Sequence, residues 1–276
     1  PLHNPGNDKA KWKKAATAAY ELIAKGWYSL PKIDKDPLYD ANGGNEVLKS
    51  SQLIFERRNT ANNDFEKNNL PISYELGKTG NVPTQNLVDA FQMKDGKDFD
   101  WNSGKDPYAN RDPRFYRTIL CNGDTWMKQT IESYEGGKDG EGVEGATKTG
   151  YYLKKYMNET VSLDPSKPVK KEHHYILFRY AEVLLNYAEA MAEWKDEAYT
   201  DNEHPLSATA ALNQVRTAAN MPGITTTGDA FKESVRRERR VELAFEDHRF
   251  WDIRRWKIGE QTQNIYRTKI TKQSDG

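Results

Sequence analysis

The stretch from Arg236 to Lys257 reads RRERRVELAFEDHRFWDIRRWK. Seven arginines, one lysine and five acids are interleaved there with Phe245, Phe250, Trp251 and Trp256. Projected as a helix, Phe231, Val235, Glu238, Glu242, Phe245 and Arg249 share one stripe, so two carboxylates and a guanidinium lie on the apolar face. Carboxylates on a buried face need partners, because an unpaired buried charge is strongly unfavourable. The expected partners are Arg249, Arg254 and Arg255, with Arg179 from a neighbouring helix, since a planar guanidinium can grip a carboxylate through two hydrogen bonds. The stretch is thus read as a structural ion network in a helical core, with Trp251 and Trp256 packed into that core.

Two other readings of the same residues fare worse. The chain has 41 basic and 41 acidic residues, so it has no overall field to attract a phosphate backbone, and no nucleic-acid partner is expected. Glu238 and Glu242 could stand at the roughly 5–10 Å separation of a glycosidase pair. Surrounding arginines, however, would keep both ionised and leave no proton donor.

Working outward, 276 residues suffice for a substantial core, although only 36% are hydrophobic and 30% are charged. Aromatics must then carry much of the packing. Helical periodicity is expected from Asp8 to Lys25, stopped by Gly26, and from Thr84 through Met93. It recurs from His173, where Ile176, Tyr180, Val183, Leu184, Tyr187, Ala190, Met191 and Trp194 form one face. A polar stripe of Arg179, Glu182, Asn186 and Glu189 runs beside it. Further helices are expected over 207–219 and after Gly228. QLIFE (52–56), RTIL (117–120) and GYYLKKYM (150–157) read as short strands among long irregular loops.

RRERRVELAFEDHRFWDIRRWK resembles the signature of the SusD/RagB family, outer-membrane lipoproteins that bind glycans for import. HHYILFRYAEVLLNYAEAMAE and ALNQVRTAANMPG resemble the two helices before it. VPTQNLVDAFQMKDGK, DPYANRDPRFYRTILCNGDTW, TGYYLKKYMNE and WKKAATAAYELIAKGWYSL are also family-like, and the motifs follow family order across nearly the whole chain. The resemblance implies a mainly α fold of the SusD type, with tetratricopeptide-like helix pairs, long irregular loops and a few short strands. It implies one domain over residues 1–276, expected to be a fragment lacking the N-terminal half and the extreme C-terminus. That missing N-terminal portion is then a partner. So is a SusC-like TonB-dependent transporter, with the protein lipid-anchored at the cell surface.

A glycan site needs aromatic faces for sugar rings, with amides, carboxylates or arginines for hydroxyls. RRNTANNDFEKNNLPISYEL offers Asn62, Asn63, Asp64, Phe65 and Tyr74; the family's glycan loops precede the PTQ-type motif, which supports the segment by position. Trp126 and Tyr134 in CNGDTWMKQTIESYEGG, and Trp101 in DFDWNSG, are further candidates. Asp98, Asp100 and Asn102 alternate like the start of a calcium loop, but Ser103 and Ala109 stand where that loop needs Gly and Glu. His173 and His174 read as an exposed helix start, and Cys121 alone can build neither a disulfide nor a zinc site. No catalytic residue, metal or cofactor is therefore expected. The expected function is non-enzymatic glycan capture. The alternatives are a helical-repeat module for peptide or protein and, behind it, a glycoside hydrolase.

Overall fold

The computed structural model describes residues 4–39 and 44–273. Asp8 opens α1 (Lys9–Ala24) by accepting from the Ala10 amide at 2.8 Å, the short side-chain cap that satisfies an orphan helix N–H. Short elements follow: β1 (Leu53–Arg57), α2 (Asp64–Asn69), α3 (Gln85–Val88), α4 (Phe115–Thr118), β2 (Ile119–Leu120), β3 (Thr125–Trp126), β4 (Gln129–Thr130) and β5 (Tyr152–Leu153). Then β6 (Tyr175–Arg179) runs directly into α5 (Tyr180–Trp194), followed by α6 (Ala208–Ala218), α7 (Gly228–Glu242) and α8 (His248–Trp256). The fold is mainly helical, as expected. Among the described residues the strands form three antiparallel ribbons, β1 with β6, β2 with β5, and β3 with β4.

Three cores organise these elements. In the first, α1, α5, α6 and α7 bury Tyr180, Leu184, Tyr187, Met191, Leu212, Val215, Phe231 and Val235, which includes most of the apolar face expected for α5. The second lies beneath the ribbons and holds Leu70, Tyr74, Leu120, Trp126, Ile131 and Tyr152. The third joins Val88, Phe91, Phe115, Ile119, Cys121 and Tyr151 to Val241 of α7, and so ties the loop region to the helices.

Four expected elements differ in the structure. RTIL, expected as a strand, is half helix: Arg117 and Thr118 end α4, and only Ile119 and Leu120 form β2. The helix expected from His173 begins at Tyr180, because YILFR is recruited as β6 by β1, with Phe55 opposite Phe178 and Arg57 opposite Tyr175. The helix expected over 84–93 spans only Gln85–Val88. The buried guanidinium of Arg111 takes the carbonyls of Val88 and Phe91, each at 2.6 Å, and fixes the turn that ends it. The opening stretch is not one helix. Phe245 and Asp247 sit at φ 61° and 62°, which separates α7 from α8 and moves Phe245 and Arg249 off the projected stripe.

The ion network exists, with partners drawn from farther along the chain. Glu238 accepts from Arg114 at 2.5 Å and Arg216 at 2.7 Å. Glu242 accepts from Arg179 at 2.6 Å, Arg114 at 2.8 Å and the Tyr39 hydroxyl at 2.7 Å. Glu246 bridges Lys155 and Arg179 at 2.6 and 2.8 Å. Lys155 and Arg179 also bind the Glu242 carbonyl, and Lys155 binds that of Ala244, which satisfies the broken end of α7. The polar stripe of α5 serves the same purpose: Asn186 accepts from Arg239, and Glu189 accepts from Arg255 and the Trp256 indole.

Of the expected partners, Arg179 and Arg255 belong to this network, but Arg249 and Arg254 do not. Arg254 lies over the Phe250 ring and donates to the Phe250 carbonyl. Trp256 is buried as expected. Trp251 is 56% exposed, because α8 starts after the break and turns only its Asp252–Trp256 side inward.

A pH dependence follows. Burial opposes the Glu246 charge, but Arg179 and then Lys155 outweigh it and draw the carboxyl from 4.5 to about 2. Glu242 moves in the same direction, with Arg179 and Arg114 as the cause. A depressed carboxyl pKa gives stability that is complete above the unfolded value and is lost as pH falls through the folded one. Glu246 alone then contributes about 3 kcal/mol near neutrality. Urea unfolding between pH 7 and pH 3 should show stability falling once pH drops below about 4.5. Glu246→Gln should flatten that fall, and a profile unchanged between pH 5 and pH 3 would contradict the pairing.

Candidate functional site

Asn62 turns its side chain to accept from the amide of Asp64, the first residue of α2, at 3.0 Å. Its backbone exchanges two hydrogen bonds with Lys171, each 3.0 Å, and the Asn59 amide donates to the His173 carbonyl at 2.5 Å. These bonds sew the loop before α2 to the segment entering β6. Between them, beside the elbow after α7, lies a cavity of about 380 Å³.

Asn59, Asn62, Asp64, Phe65 and Asn68 line one wall, and His173, His174 and Tyr175 line another. Tyr156, Asn158, Phe245 and Glu246 close the bottom. Phe65 meets the His173 ring at 5.1 Å and 31°. His173 is in turn held by Glu66, which is fully buried and also accepts from the Asn158 amide at 2.8 Å. The platform is therefore fixed from behind.

His174 receives the Asn59 amide on Nδ1 and turns Nε2 toward Asn45 Oδ1 at 2.8 Å, an arrangement that suits the neutral ring. Burial lowers its pKa, against the pull of Glu172 and Glu56. Two lining aromatics, Tyr156 and Phe245, are held at φ 66° and 61°. Bulky side chains rarely occupy this region, and such strain gathers where a site is being shaped. Aromatic faces beside amides and carboxylates can stack on the apolar side of a sugar ring and bond its hydroxyls.

Of the residues picked out in the sequence, Asn62, Asp64 and Phe65 line this cavity. Asn63 neighbours them but points its amide to the Ser162 carbonyl. Tyr74 and Trp126 are buried in the second core at 4% and 1% exposure, where the Tyr74 hydroxyl donates to the Trp126 carbonyl, so neither presents a face to a ligand. Tyr134 is half-buried elsewhere, with Lys272 near its ring. Trp101 is exposed, braced edge-on by Phe99 and bonded to Asp89, away from this cavity.

Sequence reasoning missed Tyr156, Asn158, His173, Tyr175 and Phe245 as lining residues. The only local signal was the His-His-Tyr run before a strand. Among the described residues no group of three metal-binding side chains occurs, and Asp98 of the calcium-like run is paired with Arg237. No helix is long and apolar enough to cross a membrane, among the residues described.

A sequence model described as the SusD family matches residues 46–276. The chain belongs to the SusD family. It is 26% identical over 264 residues to the SusD-like protein P38 of Formosa agariphila, covering 88% of this chain and 48% of that protein. A SusD-like carbohydrate binding protein from Bacteroides fragilis superposes with a TM-score of 0.73 at 26% identity, covering 91% of this chain and 50% of the other. A second SusD-like protein from Bacteroides fragilis gives 0.76 at 25% identity, with 98% and 58% covered. This SusD-family chain thus spans about half the length of the relatives it matches.

Proposed function

We propose that this SusD-family chain is a non-enzymatic glycan-binding protein of the cell surface. The observation that carries the reading is the cavity behind Phe65, where a fixed aromatic platform faces amide and carboxylate groups. The carbohydrate-binding relative from Bacteroides fragilis supports the ligand class. In this reading the protein is lipid-anchored at the outer membrane and passes its ligand to a SusC-like TonB-dependent transporter. Residues 1–276 then work as one part of a longer protein, whose other portion completes the pocket. The most concentrated carboxylates, Glu238 and Glu242, are tied to arginines and serve the scaffold, which argues against a hydrolase built on them.

Calorimetric titration with a panel of neutral and charged oligosaccharides tests this, with reducing ends assayed in the same samples. At least one saccharide is expected to bind without new reducing ends. Phe65→Ala should weaken it about tenfold, the scale of a lost aromatic contact, with the unfolding midpoint measured alongside. Binding of none of the panel would overturn the reading in favour of a peptide or protein ligand. Release of reducing ends would make the chain an enzyme.

A further inference from the structure

Most arginines of the opening stretch have an anionic partner. Arg239 holds Asp252, Arg255 holds Glu189, Arg236 holds Glu233 and Arg237 holds Asp98. Arg240 and Arg249 are different. Both are half-buried, and among the described residues neither donates a hydrogen bond nor closes an ion pair. Burial and then the Arg249 charge lower the Arg240 pKa to about 10, with only Asp89 opposing them. Asp89 is already engaged, since its Oδ1 accepts from Gln85 at 2.8 Å and from the Trp101 indole at 3.1 Å. Asp252, the acid nearest Arg249 in effect, is held by Arg239 and Arg255. Two half-buried guanidiniums thus stand together with no counter-charge of their own, an arrangement that a bound anion would relieve.

The place is accessible. Arg240 and Arg249 line both a cavity of about 470 Å³ and an adjoining one of about 620 Å³. The first of these also presents the Gln261 amide and Asp89, which holds the indole of the 46% exposed Trp101; its other amides, Asn86 and Gln92, are already bonded to Asn264 and Tyr266 and to Gly96 and Arg216. The second shares Phe245 with the cavity behind Phe65, so the Arg pair adjoins that site around the elbow after α7. Unpaired guanidiniums beside an amide suit a sugar that bears an oxyanion better than they suit a purely apolar guest. We propose that Arg240 and Arg249 form an oxyanion subsite, and that the glycan this chain captures is acidic, carrying sulfate or carboxylate groups. The assignment rests on the glycan reading above and narrows it to a substrate class.

The test uses the 276-residue chain and three oligosaccharides of one length: a sulfated galactan, the same galactan after desulfation, and an oligogalacturonate. At low salt, one or both anionic forms should bind about tenfold more tightly than the desulfated one, the worth of a charge-assisted contact. Which form gains separates sulfate from carboxylate as the source of the oxyanion. The gain should shrink as sodium chloride is added. Arg240→Gln with Arg249→Gln should abolish it and leave the unfolding midpoint unchanged or raised, since the change removes like-charge repulsion. Equal binding of charged and desulfated forms would overturn the subsite while leaving the glycan reading intact. A charge preference that persists in the double variant would likewise overturn it. So would a large fall in the unfolding midpoint, which would make the pair structural. Binding of a polyglutamate peptide without any gain for the anionic sugars would assign the pair to an acidic protein segment instead. If none of the three sugars binds, the oxyanion subsite is overturned, while the glycan reading is decided by the wider panel above.

Discussion

Glu242→Ala is expected to destabilise the fold by about 3–5 kcal/mol, the cost of breaking a buried ion pair from one side. The carboxylate is 4% exposed and accepts from Arg179, Arg114 and Tyr39. Its removal leaves Arg114 with Asp112 and Glu238, and Arg179 with Glu246 and Gln52. Four largely buried cations, Arg114, Arg179, Arg216 and Lys155, then face three acids where there were four. Glu242→Gln separates charge from volume. It keeps the shape but turns an amide NH₂ toward guanidinium donors, so it should lose most of the same stability. Urea denaturation checks both variants. Losses below about 1 kcal/mol for either, with the denaturant slope unchanged, would mean that water or rearranged side chains replace the carboxylate readily. A double-mutant cycle with Arg179→Gln should give a coupling well above the few tenths seen between independent sites.

That network shows where sequence reasoning reaches its range. The need for partners was legible, because Glu238 and Glu242 recur with Phe231 and Val235 on one helical stripe, and all four are buried. The identity of the partners was not. Arg249 and Arg254 are close in sequence, whereas Arg114 reaches Glu242 across 128 positions and Lys155 reaches Glu246 across 91. Helical periodicity describes one element and carries no information about which loop will cross it.

The break after α7 was hidden for a related reason. Ala244, Phe245 and Glu246 include neither glycine nor proline, and Asp247 is the one residue of a type that tolerates the left-handed region, so the local signal for the break is weak. The tertiary setting supplies the cause, since the turn aims Glu246 at Arg179 and Lys155. The same turn brings Phe245 to the candidate cavity. The cavity itself was half legible. Asn62, Asp64 and Phe65 lie in one polar run and could be read together, but Tyr156 and Asn158 join them from a distant loop.

Trp126→Ala is expected to cost about 3–5 kcal/mol, the range for emptying a buried tryptophan site. Any loss of ligand binding in that variant should follow the loss of folding. In sequence, Trp126 sits ahead of a glycine-rich loop and has the amphipathic look of a sugar platform. In the structure it is 1% exposed among Leu70, Tyr74, Leu120 and Tyr152, with Lys154 beside its ring. Its indole N–H has no hydrogen-bond partner among the described residues, so the ring contributes as apolar volume. Trp126→Phe therefore separates the two roles. It removes the unsatisfied donor and only part of the volume, so it should cost clearly less than the alanine change and leave saccharide affinity where it was. Thermal unfolding and titration calorimetry on the two variants give the answer. Were Trp126→Phe to weaken binding about tenfold while its unfolding midpoint stayed put, the indole would be a ligand contact, and the loop over β3 and β4 would have to open to expose it.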